Sequence, residues 1–195
     1  MFTGIIEALG LVESITDEGS GRIFWLSSPI SRELQPDQSL SHNGACLTVE
    51  QVTDHQHRVT AIEETLKKTN LDTWRVGDRV NLERCMQMNG RLDGHLVQGH
   101  VDTKSSCTGI SDKNGSQEYT FTFPASFASL VIEKGSVCIN GISLTCYNVR
   151  RNEFTVAIIP YTLEHTNMKD VKEGSSVNLE FDVIGKYIQR HLELK

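Results

Sequence analysis

Basic residues are the minority in this chain: 19 lysines and arginines stand against 25 aspartates and glutamates, for a formal net charge of −6. That deficit argues against nucleic acid or an anionic membrane as a partner, since both require a basic face. Long apolar runs are missing too. No stretch approaches the ~20 apolar residues needed to span a bilayer. The opening Met1-Phe2-Thr3-Gly4-Ile5-Ile6-Glu7 lacks the basic n-region of a signal peptide, and Glu7 and Glu13 interrupt any apolar core. These absences predict a cytoplasmic protein. Cysteine occurs at 46, 85, 107, 138 and 146, an odd number without a CxxC pair. That pattern fits reduced thiols and argues against a disulfide framework or a zinc site. What remains, 38% apolar and 23% charged residues over 195 positions, is the composition of an ordinary folded chain with room for one large domain or two small ones.

The strongest positive signal is internal repetition. Residues 43–83 laid over 140–180 at a constant offset of 97 need no gap, and 16 of the 41 positions are identical. Chance would give about two or three. The matches cluster as Asn43-Gly44-x-x-Leu47-Thr48 over Asn140-Gly141-x-x-Leu144-Thr145, and Thr65-Leu66-x-x-Thr69-Asn70 over Thr162-Leu163-x-x-Thr166-Asn167. Val80-Asn81-Leu82-Glu83 likewise recurs as Val177-Asn178-Leu179-Glu180. Upstream the offset becomes 95, so Gly4 lies over Gly99 and Glu7 over Asp102. The two additional residues fall in the polar turn 112–116, where an insertion is best tolerated.

Each copy reads as β-rich. Tyr119-Thr120-Phe121-Thr122-Phe123 alternates as a strand should, and its counterpart is Ile23-Phe24-Trp25-Leu26. Segments 137–139, 143–147 and 154–159 are further short strands, punctuated by Asn140-Gly141, Arg151-Asn152 and Gly174. About six strands per ~90 residues predict a small closed barrel, which leaves no exposed sheet edge. A single helix is expected, at the C-terminus, where Ile184, Ile188 and Leu192 recur at helical spacing beside Val183 and Tyr187. Its apolar stripe should dock on something, such as another subunit. The expected organisation is all-β: barrels over residues 1–87 and 88–183, then a terminal helix over 184–195.

The opening heptapeptide, Asn43-Gly44-Ala45-Cys46-Leu47-Thr48-Val49, the run Gly94-His95-Leu96-Val97-Gln98-Gly99-His100-Val101-Asp102, and Asn140-Gly141-Ile142-Ser143-Leu144-Thr145 together resemble the riboflavin synthase family of lumazine-binding repeats. The resemblance covers essentially the whole chain, in order and at the family's spacing. It implies two tandem six-stranded Greek-key barrels with a C-terminal helix that helps build a homotrimer, and active sites between one subunit's N-barrel and its neighbour's C-barrel. The implied reaction moves a four-carbon unit between two molecules of 6,7-dimethyl-8-ribityllumazine, giving riboflavin and 5-amino-6-ribitylaminouracil, without metal or organic cofactor. Two copies of one substrate call for two similar pockets, which a duplicated barrel supplies.

The resemblance also implies site residues. In the first copy these are Gly4, Ile5 and Ile6, then Cys46, Leu47 and Thr48, then Thr60, Ala61, Ile62, Glu63, Glu64 and Thr65. In the second they are Gly99, His100 and Val101, then Lys134 and Asn140, then Ser143, Leu144 and Thr145, and finally Ile159, Pro160, Tyr161, Thr162, Leu163 and Glu164. Catalytic roles fall to His100, Cys46, Ser143 and Thr145. Cys46 and Ser143 occupy equivalent positions just past the Asn-Gly turn, where a side chain can enter the barrel mouth. They are either small residues filling a narrowing barrel or pocket residues, the cysteine as hydrogen-bond partner or as nucleophile. Thr48 and Thr145, two residues on, share their strand face. His100 suits proton transfer at neutral pH, and its repeat partner is Ile5, so packing does not demand histidine there. His95 reads as structural or as a support for a site residue, and the two histidines lack a third ligand for a metal. Glu64 and Tyr161 are expected at strand ends. Asn140 stands where the family pattern has aspartate, and an amide cannot take a proton. Two other readings compete: a non-catalytic lumazine- or flavin-binding fluorescent protein, whose cysteine and histidine positions look altered, and an oligonucleotide-binding barrel, which the acidic charge disfavours.

Overall fold

A computed structural model describes residues 1–195. The first copy supplies β1 (Ala8–Glu18), β2 (Gly21–Ser27), β3 (Ser39–His42), β4 (Ala45–Val52), β5 (Gln56–Ala61) and β6 (Arg79–Arg84). The second supplies β7 (Thr103–Asp112), β8 (Gln117–Thr122), β9 (Ser136–Ile139), β10 (Ile142–Tyr147), β11 (Glu153–Ile158) and β12 (Ser176–Phe181). Each set closes into an antiparallel barrel, in the orders β1-β2-β5-β4-β3-β6 and β7-β8-β11-β10-β9-β12. The second strand of each barrel lies beside the fifth, which is a Greek key. The expected fold class is therefore observed. Inward residues alternate along each strand: Leu47 and Val49 of β4 are buried while Thr48 and Glu50 are exposed.

The cores are separate. Phe24, Leu26, Leu40, Val59, Val80 and Leu82 centre the first, where Trp74 meets Phe24 edge-on at 5.1 Å. The second is more aromatic, built on Tyr119, Phe121, Phe123, Phe154 and Phe181. The first core also holds a polar chain that its mate lacks: Ser31, His57 and His42 are all fully buried and hydrogen-bonded in series.

Two helices escaped the sequence reading. Helix α1 (Glu63–Lys68) follows β5 and α2 (Pro160–His165) follows β11, each six residues long, so Glu64 and Tyr161 sit in helices and not at strand ends. The cues were local. Glu63 and Glu64 open α1, Lys67 and Lys68 close it with ion pairs of 2.5 and 3.3 Å at i,i+4 spacing, and Pro160 takes the first position of α2. Helix α3 (Val183–Glu193) is capped by Asp182, whose side chain accepts from Ile184 N at 2.9 Å. The apolar residues Ile184, Tyr187, Ile188 and Leu192 of α3 are uncovered. No helix is long and apolar enough to cross a membrane.

The repeated asparagines explain themselves at the seam between barrels. Asn43 Oδ1 accepts from Asn81 N (2.8 Å), and its mate Asn140 Oδ1 accepts from Asn178 N (2.8 Å). Asn81 Nδ2 donates across the seam to Asn140 O (2.9 Å), and Asn178 Nδ2 to Asn43 O (2.8 Å). Asn167 N then bonds Asn81 Oδ1 (2.7 Å), as Asn70 N bonds Asn178 Oδ1 (2.6 Å). Six buried amides thus tie the barrels about a pseudo-twofold axis, on which the two Asn-Gly turns abut.

Candidate active site

The candidate site is assembled from both barrels, because the segment that leads into each repeat crosses to the other one. Residues 1–4 and 94–99 run antiparallel, with Phe2 N donating to Val97 O at 2.7 Å and His95 N to Thr3 O at 3.1 Å. From there Gly99 O accepts from Cys46 N (2.8 Å) in the first barrel, and Gly4 O accepts from Ser143 N (2.8 Å) in the second. Val101 packs against the first core and Ile6 against the second, again crosswise. Both glycines are required here. Each has a left-handed φ, +80° and +78°, and a Cβ on either would stand 2.6 Å from the Cβ of Cys46 or Ser143.

On the first barrel this crossing makes a concavity of ≈ 180 Å³ lined by Ala45, Cys46, Glu64, Thr65, Lys68, Thr69, Gly99, His100 and Val101. Six of these are residues the sequence pointed to; Ala45, Lys68 and Thr69 are additions. Lys68 carried no signal, since its repeat partner is His165. Cys46 alternates with buried Leu47, so it faces off the outer wall of the barrel and not into its mouth. Burial raises its thiol pKa, which makes it a hydrogen-bond donor and not a thiolate. His100 is exposed, and its imidazole forms no hydrogen bond within the chain; its backbone N donates to Glu180 at 3.0 Å.

At the equivalent place on the second barrel, Ser143 Oγ lies 2.7 Å from His95 Nδ1. His95 is buried, and that burial lowers its pKa, so the imidazole is neutral. His95 thus orients the Ser143 hydroxyl. Tyr161, the repeat counterpart of Glu64, is exposed and stacked on His165 with ring centroids 4.0 Å apart. The equivalent positions of the two repeats therefore differ chemically: cysteine, glutamate and histidine in one set, serine, tyrosine and isoleucine in the other.

Some expected residues lie outside this first-barrel concavity. Leu47 and Ala61 are buried in the first core, so their side chains are not available to a ligand. Thr48, Thr60, Ile62 and Glu63 fall outside the concavity's lining, although Thr48 shares the outer wall with Cys46. Lys134 is exposed in a left-handed turn before β9, its N–H on Cys146 O at 2.8 Å. Asn140 also lies apart from this concavity. It is 3% exposed and belongs to the seam, where its Oδ1 is held by Asn178 N. An aspartate would keep that acceptor role. Asn140→Asp is accordingly expected to leave turnover within about twofold of the parent by steady-state kinetics, and a tenfold gain would return the position to the site.

The lumazine binding domain model matches residues 3–85 and 98–182. The riboflavin synthase of Bacillus subtilis (strain 168) is 38% identical over 193 residues, covering 98% of this chain and 90% of the relative. That of Mycobacterium tuberculosis (strain H37Rv) is 39% identical over 197 residues, with 97% of each chain covered. Among solved structures, LumP complexed with riboflavin superposes with a TM-score of 0.87 at 19% identity, covering 93% of this chain and 99% of LumP. LumP complexed with 6,7-dimethyl-8-(1'-D-ribityl) lumazine gives 0.84 at the same identity and coverage. At that identity the likeness concerns the fold.

Proposed function

This chain belongs to the lumazine binding domain family, and we propose that it works as a riboflavin synthase, moving a four-carbon unit between two molecules of 6,7-dimethyl-8-ribityllumazine to give riboflavin and 5-amino-6-ribitylaminouracil. The observation that carries this reading is the Cys46–Glu64–His100 concavity on a duplicated frame whose equivalent positions carry unlike side chains. Two identical substrates are bound by similar frames, while Cys46, Glu64 and His100 at one and Ser143, Tyr161 and Ile5 at the other let them be treated differently. Holding the pair aligned supplies much of the rate, on the order of 7–11 kcal/mol in favourable intramolecular cases. The rest is proton transfer at an acidic methyl group, for which His100 is the proposed base, and stabilisation of the anion that results. Cys46 and the Ser143–His95 pair supply hydrogen bonds. Thr145, Lys134 and the 159–164 segment contact substrate from the second barrel.

The working form is proposed to be a cytoplasmic homotrimer with sites between subunits. A concavity of ≈ 180 Å³ is smaller than the ~300 Å³ at which pockets enclose a ligand, so a neighbour's pocket closes it. The uncovered stripe of α3 provides an apolar surface for assembly. The five free cysteines suit a reducing compartment. Sedimentation equilibrium tests the trimer.

The decisive experiment incubates metal-free protein with 6,7-dimethyl-8-ribityllumazine and follows riboflavin formation. Tight binding without turnover would favour the second reading, a fluorescent carrier, which the likeness to LumP keeps in view. His100→Ala and Cys46→Ser are each expected to lower kcat by roughly 10- to 100-fold with ligand affinity little changed. Unchanged rates would remove them from the mechanism.

A further inference from the structure

Two buried carboxylates have no role in the reading above. Glu180 on β12 is 2% exposed and Glu83 on β6 is 3% exposed, and neither has an ion-pair partner within the chain. Such a group is costly unless its lone pairs are satisfied. They are satisfied entirely by the crossing segments. Glu180 accepts from Gln98 N (2.7 Å), Gly99 N (3.0 Å) and His100 N (3.0 Å). Glu83 accepts from Thr3 N (2.6 Å), Thr3 Oγ1 (2.7 Å) and Gly4 N (3.0 Å).

Each glutamate thus grips the leader of its own repeat at the point where that leader reaches the opposite barrel. Within the gripped residues themselves, Gly99 O takes the Cys46 N–H and Gly4 O takes the Ser143 N–H. The imidazole of His100 has no hydrogen bond of its own, so its backbone alone sets its place over Cys46. We propose that Glu180 and Glu83 are positioning residues acting crosswise: Glu180 of the second barrel holds the pocket of the first, and Glu83 of the first barrel holds the pocket of the second. Acceptor geometry explains why carboxylates are needed. One oxygen of Glu180 serves Gln98 and the other serves Gly99 and His100. A glutamine has a single carbonyl oxygen, and its NH₂ would face an N–H donor whichever way it turned.

The kinetic consequence rests on the synthase reading, whereas the grip itself can be tested without it. In the full-length protein, Glu180→Gln is expected to raise the alkylation rate of Cys46, measured by peptide mass spectrometry, at least about fivefold and to shift the Cys46 amide resonance. Glu83→Gln should leave both as in the parent and shift the Ser143 amide instead. If the parent turns over, Glu180→Gln should lower kcat about tenfold or more with KM little altered, because it displaces a reacting group and not the binding frame. Should Glu180→Gln not fold, hydrogen exchange on the unmodified protein reads the same grip: the amides of Gln98, Gly99, His100 and Cys46 should be protected and open as one unit. Equal effects of the two variants on Cys46, or unprotected amides at 98–100, would overturn the crosswise assignment. A parent without turnover but with crosswise amide and thiol effects would instead sink only the synthase reading.

Discussion

Replacing Gly141 by alanine is expected to part the two barrels and to cost about 3–5 kcal/mol, far more than an alanine at other left-handed glycines. Gly44 and Gly141 sit back to back on the pseudo-twofold axis. A Cβ on Gly141 would lie 2.9 Å from Gly44 N, and one on Gly44 would lie 2.8 Å from Gly141 N. Those neighbours are backbone and cannot swing aside, so the turns must separate. Separation stretches the hydrogen bonds from Asn81 Nδ2 to Asn140 O and from Asn178 Nδ2 to Asn43 O, and strips satisfied polar groups that are already buried. The repeat provides its own control. Gly77 and Gly174 share the left-handed φ, +93° and +85°, but nothing lies within 4 Å of their Cβ positions. Gly77→Ala and Gly174→Ala therefore report backbone strain alone, about 1 kcal/mol. Chemical denaturation of the four single variants separates the terms. Equal losses at all four sites would mean that the seam is soft and the barrels are joined mainly elsewhere.

The asparagines show both the reach and the limit of the sequence. Duplication, strand content and barrel closure were legible because they rest on identity at fixed offset and on period-two patterning, both local. What the repeated Asn-Gly and Thr-Asn motifs are for was not legible, since identity in two copies looks the same whether it serves two pockets or one shared axis. Asn140 was expected at the site because it stands where the family pattern has aspartate, yet its side chain is spent on the seam. Cys46, His100, Glu64 and Thr65 did converge on one concavity. The crossing of the leader segments was invisible: Gly4 and Gly99 could be matched as equivalents, but no periodicity says that each reaches the other's barrel. Glu83 and Glu180 were in view as the ends of two identical tetrapeptides. Their partners are backbone amides some 80 residues away, and backbone donors leave no trace in side-chain patterns. The helices α1 and α2 were missed because six residues are too few for a period of 3.6 to declare itself.

Lowering the pH from 7.5 to 5 is expected to destabilise the first barrel selectively, through His42 and His57. The hydrogen-bond order in their chain is forced. Leu40 O can only accept, so His42 Nδ1, 3.1 Å away, carries a proton. The neutral His42 ring then accepts at Nε2 from His57 Nε2–H at 3.0 Å, and His57 Nδ1 accepts from the Ser31 hydroxyl at 2.9 Å. A second proton on His42 would point one N–H at another. Burial adds to the penalty, holding His42 well below the ordinary imidazole range and His57 down at about 4. Both rings stay neutral in the folded chain but take protons near pH 6.5 once unfolded. Their contribution is thus complete above about pH 6.5 and is lost as pH falls, at roughly 1.4 kcal/mol per unit for each histidine, or about 4 kcal/mol by pH 5. Glu180, pushed up to about 7 by burial, and Glu83, raised for the same reason, have the opposite sign. Each takes up a proton more readily in the folded chain than unfolded, so falling pH shifts their contribution the opposite way and masks part of the loss. The second barrel supplies the means to isolate the term, having Ala128, Ile139 and Phe154 where the first has Ser31, His42 and His57. A Ser31→Ala, His42→Ile, His57→Phe variant keeps both glutamates and His95. In urea titrations, its stability relative to the parent should rise by about 4 kcal/mol between pH 7.5 and pH 5. A constant difference across that range would mean that the two imidazoles take up protons without opening the barrel, and that the buried chain is no obstacle to charge.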